Sequence, residues 1–457
     1  MVRDQAKILL CVLFCSLYAG AAWADGAVYA MTNALDNNEI LVYHRDSNGN
    51  LSLAQTVATG GGGSGLQLAG VDSLGSAGGL QLDPQHHLLF AVNTESAAEN
   101  NGAGAFNQDC QQGTITSFLV ASDGTLTFAD RVFSGGLFPN SLAISKGGKK
   151  EAAVLYVLNA GGPEPPAICH LQPSSANTPN ITGFVVNIAG GMLPIASQPI
   201  DPGPANAASG VECTSAAAAG WSGLTGAPAA DFQCGLNPPS FARTAGQVRF
   251  SPNGRQLVVT VKGTNTIYAF RVRSGMAEDP FAIKIANAAL PTPALPTPLG
   301  VTFDTVGHLL VAELFGTATS IPKGGAGAVS SFTLTRTPSL QAISSDVADG
   351  GTAAHAIVLE PISGKFAYVS NNLSASISSY TVGGDGSVTL LNGIAASGAG
   401  PNDLATATEA GVSFLYVVDA GSGTVGAFRI NGDGSLTAIT GGSGLPAGRS
   451  AQGLAAY

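Results

Sequence analysis

The chain has 457 residues, of which 45% are hydrophobic, 11% are charged and 61 are glycine. Few helix-forming charges, set against many Gly, Ser and Thr residues, suit short strands joined by turns. A formal net charge of −10 with no basic stripe excludes nucleic acid and anionic membrane as partners.

Arg3 and Lys7 precede an apolar stretch from Ile8 to Leu17, and Ala22-Trp23-Ala24 places small residues where a signal peptidase reads them. Residues 1–24 are therefore expected to be a signal peptide cleaved before Asp25. Bulky Phe14 spoils the lipoprotein box before Cys15, and no later stretch is long and apolar enough to span a membrane. The expectation is a secreted or periplasmic protein with one domain over residues 25–457.

From Ala27 onward the sequence repeats a unit of four short strands, named a to d from the centre outward. Blade 1 begins at strand b with AVYAMTN. Blade 2 begins at GLQLDPQHHLLFAVNTE and closes with GTITSFLVASDGTLTFADRV. Blade 3 runs from FPNSLAIS through VLYVLNA to NITGFVVNIAGGMLPIA. Blade 4 carries GQVRFSPNGRQLVVTVKG and TNTIYAFRV, blade 5 PLGVTFDTVGHLLVAELFG, and blade 6 HAIVLEPISGKFAYVSNN. Blade 7, Gly400 to Ile439, is the clearest copy. A four-stranded unit at this period marks a β-propeller. AQGLAAY, Ala451 to Tyr457, resembles a strand a with nothing after it, and blade 1 lacks one. The fold class is thus all-β: a seven-bladed propeller whose C-terminal strand closes the ring and removes exposed strand edges.

The a–b and c–d connections are short (SPNG, SNGN, SDGT, GGDG, NGDG) and supply what tight hairpins need. The long insertions fall in the b–c and d–a connections, at the opposite face: Gly60 to Ser76, Ser96 to Gln112, Gly161 to Pro179, Asp201 to Arg243 and Thr317 to Ala328. Loops on a rigid scaffold usually carry function. Cys110, Cys169, Cys213 and Cys234 all lie in these insertions, and an even count in an exported chain reads as two disulfides in one of three pairings. There is no C-x-x-C, EF-hand loop, phosphate-binding G-x-x-x-x-G-K-[ST] or G-x-S-x-G, so no cofactor or metal is expected and a serine hydrolase is unsupported.

The b strands end at Asn33, Asn93, Asn159, Val261, Glu313, Asn371 and Asp419. Asn and Asp there read as caps bonded to nearby backbone, whereas Glu is a poor capper, which makes Glu313 a candidate for chemistry. The a strands start with Gly78, Asn140, Gly246, Leu299, His355 and Asn402 at one level, with Gln452 near it, and His355 is the one imidazole in that ring. His355 is a candidate base or a satisfied lining residue. Arg243 and Lys262, beside blade 5, are candidate anchors for a carboxylate or oxyanion, or solvated loop charges. Asp403 reads as a cap of its own strand.

RFSPNGRQLVVTVKGTNTIYAFRV (Arg249 to Val272), hairpins of the NGDGSLTAI type, and the blade order with C-terminal closure resemble the seven-bladed lactonase family, which includes 6-phosphogluconolactonase and the carboxymuconate cyclases. The resemblance implies a His at the start of strand a in blade 4, an Arg at the start of blade 5, a Glu closing strand b of blade 5 and an Arg after strand b of blade 6. Those positions hold Gly246, Leu299, Glu313 and Asn372. Two functions are expected from this. One is hydrolysis of a lactone or related small sugar-acid ester, with Glu313 as base and Arg243, Lys262 or His355 supplying charge or a proton. The other is a non-catalytic monomer that binds a small molecule, polymer or protein through its elaborated face.

Overall fold

In the computed structural model the described residues are 26–65, 72–94, 112–146, 153–160, 180–195, 245–262, 265–273, 276–284, 296–315, 327–335, 340–448 and 451–457. The signal-peptide reading, Arg243 and the four cysteines lie outside them. The described residues form seven four-stranded antiparallel sheets arranged as a propeller.

Strand b is the spine of each blade. Ala27–Met31, Leu88–Asn93 and Ala153–Asn159 are buried at every residue, and Gln256–Val261, His308–Glu313, Phe366–Asn371 and Val412–Asp419 at every residue but the first. Each spine has a neighbouring blade on both faces, so its side chains are apolar without alternation. The outer strands Leu51–Ala58 and Leu340–Ala348 meet solvent, and their burial fluctuates along the strand.

The ring closes as expected. Leu454–Ala456 pairs with strand b of blade 1 in the register Val28↔Ala456, Tyr29↔Ala455, Ala30↔Leu454. Met31 N donates to Gly453 O at 3.0 Å, and Gln452 N to Met31 O at 3.1 Å, which extends the ladder inward. Buried Arg45, on strand c of blade 1 (Glu39–Arg45), donates to Tyr457 O at 3.2 Å and pairs with Glu409 of blade 7 at 3.3 Å.

Adjacent blades interlock through their hairpins. In blades 1, 6 and 7 a strand-b tyrosine donates to a glycine carbonyl in the c–d turn of the following blade: Tyr29 to Gly124 at 2.9 Å, Tyr368 to Gly434 at 2.9 Å, and Tyr416 to Gly49 at 3.0 Å. Those glycines have φ of +84°, +82° and +85°, where a side chain is strained. At Gly434 a Cβ would also come within 2.4 Å of Phe366 Cδ1 in blade 6, whereas at Gly411, with the same φ of +82°, it would meet nothing within 4 Å.

This contrast separates strain from interlock. Gly411→Ala should cost about 1 kcal/mol from backbone strain alone. Gly434→Ala should cost roughly 3 kcal/mol or more, because the Phe366 contact adds overpacking, and Tyr368→Phe about 1 kcal/mol for the lost hydrogen bond. Urea denaturation of the three variants measures the ranking, and equal losses at Gly411 and Gly434 would refute the interlock.

Candidate functional site

Residues 72–78, the end of the insertion between blades 1 and 2, cross the propeller axis. Several of the segment's peptide groups and side chains bond to other blades. Leu74 N donates to Gln452 Oε1 at 3.0 Å, and Gln452 Nε2 donates to Ser76 O. Ser76 Oγ donates to Asn140 O at 2.6 Å, Ala77 N to Gly246 O at 3.1 Å, and Ser141 Oγ to Ala77 O at 2.7 Å. Lys262 Nζ donates to Gly75 O. Buried peptide groups must be satisfied, and the inner strands of blades 3 and 4 and the closing strand do so here.

Asp72 supplies the charge of this segment. Its Oδ1 accepts from Leu74 N at 3.0 Å and Gly75 N at 2.9 Å, and its Oδ2 lies 2.6 Å from His355 Nε2. The two side chains are 0% and 1% exposed. His355 Nδ1 is buried with no hydrogen-bond partner. With Nε2–H donated to the carboxylate, Nδ1 carries the lone pair. Burial pulls the Lys262 ammonium down to about 7, against the opposing pull of Asp72. Asp403, also fully enclosed, is pushed up to about 6, first by burial and further by Asp72, with His355 opposing. Its two oxygens accept no hydrogen bond, the Gly78 and Gly453 amides lying near but outside bonding geometry. It therefore does not cap its own strand as the sequence suggests. Lys262, Asp72, His355 and Asp403 form one electrostatically linked group at the axis.

Glu313 has different neighbours. Its Oε2 accepts from Ser330 Oγ at 2.9 Å in strand c of blade 5 (Ala328–Leu334), and Asp346 in strand d (Leu340–Ala348) lies beside it. Burial, then repulsion from Asp346, raises its carboxyl well above the usual range. The same b–c geometry recurs elsewhere: Asn93 donates to Thr116 Oγ1 at 3.0 Å and Asn371 to Ser378 Oγ at 3.2 Å. Glu313 thus occupies the repeat's ordinary strand-end position, facing outward along its blade, while Lys262 and His355 face Asp72.

The positions that depart from the family pattern have physical reasons. A Cβ on Gly246 would lie 3.0 Å from Leu299 Cα and 2.8 Å from Thr260 Oγ1, so neighbouring blades meet there backbone to backbone. Leu299 is packed among Ala77, Leu314 and Ala356, and Asn372 donates to Asn402 Oδ1. Sequence reading passed over Asp72 because nothing local marks it: its partner is 283 residues away. No group of three or more His, Cys, Asp or Glu side chains among the described residues is placed to hold a metal ion, and no helix there is long and apolar enough to cross a membrane.

Residues 247–447 match the family model described as Lactonase, 7-bladed beta-propeller. A putative 6-phosphogluconolactonase from Bacteroides fragilis is 16% identical with a TM-score of 0.57, over 96% of this chain and 99% of that one. The periplasmic gluconolactonase of Pseudomonas aeruginosa is 18% identical with a TM-score of 0.58, over 94% and 98%. No curated protein matches the chain in sequence. At such identities the structural likeness is one of fold, and with the family match it makes this chain a lactonase-like seven-bladed propeller.

The buried acid gives a stability test. Between an unfolded value near 4 and a folded value of about 6, native Asp403 holds a proton that the unfolded chain has lost, so its contribution to stability falls as pH rises through that window. Asp403→Asn should match the parent below about pH 4 and exceed it by about 1–3 kcal/mol above about pH 6. Denaturation midpoints across that range check this, and a pH-independent difference would contradict it.

Proposed function

We propose that this lactonase-like propeller is an exported hydrolase that opens a lactone or related small sugar-acid ester at its axis. The observation that carries the reading is the Asp72–His355 pair, with a buried, unpartnered Nδ1 and with the Lys262 ammonium drawn to the same Asp72 carboxylate. Export rests on the signal-peptide pattern of residues 1–24, and the Pseudomonas aeruginosa neighbour is described as periplasmic.

Lactone opening needs a base for water and positive charge for the tetrahedral oxyanion. His355 Nδ1 takes a proton from water as the hydroxide adds to the carbonyl carbon. Asp72 fixes the ring through Nε2 and balances the imidazolium that forms, the orienting role of a carboxylate behind a catalytic histidine. Lys262 faces the oxyanion. As the intermediate collapses the ring C–O bond breaks, and the departing alkoxide takes the proton from imidazolium Nδ1–H, leaving a hydroxy acid and the starting enzyme. Burial strengthens each of these charges relative to water. A cavity rising from the tight-turn face reaches Gln247, and the carboxamides of Gln81 and Gln247 lie against Gly78, whose amide adjoins Asp403. A substrate arriving by that route must displace these side chains and segment 72–78.

A panel of aldonolactones and small γ- and δ-lactones tests the reading. The parent should open at least one of them. His355→Asn and Asp72→Asn should each lower kcat by about 10²–10⁴-fold, while Glu313→Gln should stay within about threefold of the parent. No turnover on any lactone rejects the hydrolase, and full activity in His355→Asn rejects this base. The rate should fall as pH rises through about 7, where Lys262 loses its proton, and Lys262→Arg should carry that descending limb to higher pH.

A further inference from the structure

Arg249 lies on strand a of blade 4 (Ala245–Phe250), on the tight-turn side of the axial segment. It helps line a cavity of about 280 Å³ between the inner strands of blades 3 and 4, with Gln81 of blade 2 at one side. The guanidinium has no hydrogen bond, ion pair or ring contact among the described residues, and burial is the one influence acting on it, drawing it below its ordinary value. In a chain with a net charge of −10, no Asp or Glu lines this cavity. Two more donors converge on its inner end. The Nε2 atoms of Gln81 and Gln247 would lie 3.1 and 3.2 Å from a Cβ on Gly78, and neither donates to another described residue. The Gln247 Oε1 is already taken by Val301 N at 2.6 Å, which fixes that carboxamide with its NH₂ group free.

Arg249 is partly open to solvent through this cavity, and its cation has no counter-charge among the described residues. Its neighbours are hydrogen-bond donors instead of carboxylates. The geometry points to a binding site for a small monocarboxylate in this cavity, with the carboxylate on the Arg249 fork and the Gln81 and Gln247 amides donating to its oxygen-rich remainder. A planar guanidinium matches a carboxylate through two parallel hydrogen bonds. One positive charge with neutral amide donors balances a monoanion, whereas a phosphate dianion would enter with a charge left over. This assignment is independent of catalysis at His355, since it concerns binding in the resting protein.

Titration calorimetry and thermal melting with D-gluconate, acetate and inorganic phosphate test it on the intact chain. Gluconate should bind saturably and raise the melting temperature, acetate should bind more weakly, and phosphate weakest. Arg249→Met keeps the volume and removes the charge, so the ligand-free protein should melt at the same or a higher temperature while the gluconate-induced shift disappears. Arg249→Lys should retain binding at least tenfold weaker. His355→Asn should bind gluconate as the parent does, which separates this site from the catalytic reading. The inference is overturned if gluconate does not bind, if phosphate binds more tightly than gluconate, or if Arg249→Met binds gluconate unchanged. It is overturned equally if Arg249→Met lowers the ligand-free melting temperature, because the arginine would then have a structural partner.

Discussion

Everything in this molecule depends on the burial of strand b on both of its faces. A sheet with two apolar faces is stable only when another sheet covers each, and seven such sheets satisfy the condition by standing in a ring. The ring in turn depends on its last junction, where Leu454–Ala456 completes blade 1 and Arg45 grips Tyr457 O while pairing with Glu409 of blade 7. The Tyr–Gly interlocks repeat the bargain between blades 1 and 2, 6 and 7, and 7 and 1. Each makes a hairpin glycine indispensable for a reason outside its own turn.

That scaffold leaves strand starts crowded at the axis, and the crowding decides where chemistry can sit. Gly246 and Gly300 are places where one blade's backbone passes against the next, a Cβ at 300 colliding with His355 O. With no room for side chains there, the polar groups at the centre come from the edges of this packing: Lys262 just past a strand b, His355 at a strand a, and Asp72 from a loop. The result is a compact set of charges held away from solvent, in which the ammonium of Lys262 and the carboxyl of Asp403 are shifted toward neutrality from opposite directions. Such opposed shifts are common where proton transfer is arranged.

The ring and its closure were legible in the sequence because they rest on periodicity and turn chemistry, which are local. The Asn residues ending strands b read as caps bonded to nearby backbone, but Asn93 and Asn371 instead bond hydroxyl side chains of strand c. Glu313 stood out by residue type, but the structure gives it the same strand-end position, with Ser330 in the role of Thr116 and Ser378. Position in the repeat decides its surroundings more than its chemistry does. Asp72 and Arg249 were passed over for the opposite reason. Asp72 sits in an insertion with no pattern, and Arg249 was noticed only as part of a strand motif. Their significance arises from neighbours on other blades, and a sequence shows those only when a repeat carries them.

Segment 72–78 also sets an order of assembly. Asp72 is made near the start of the chain, and its histidine 283 residues later. Gln452, which holds Leu74 and Ser76, comes later still. As domains emerge from the N-terminal end during synthesis, the first blades can pack among themselves while this carboxylate is still in water. Its burial waits for blade 6, and the peptide groups beside it wait for the final strand. The hub of the ring is thus the last part to become dry, and a chain stopped before blade 6 carries an unpaired acid at its centre.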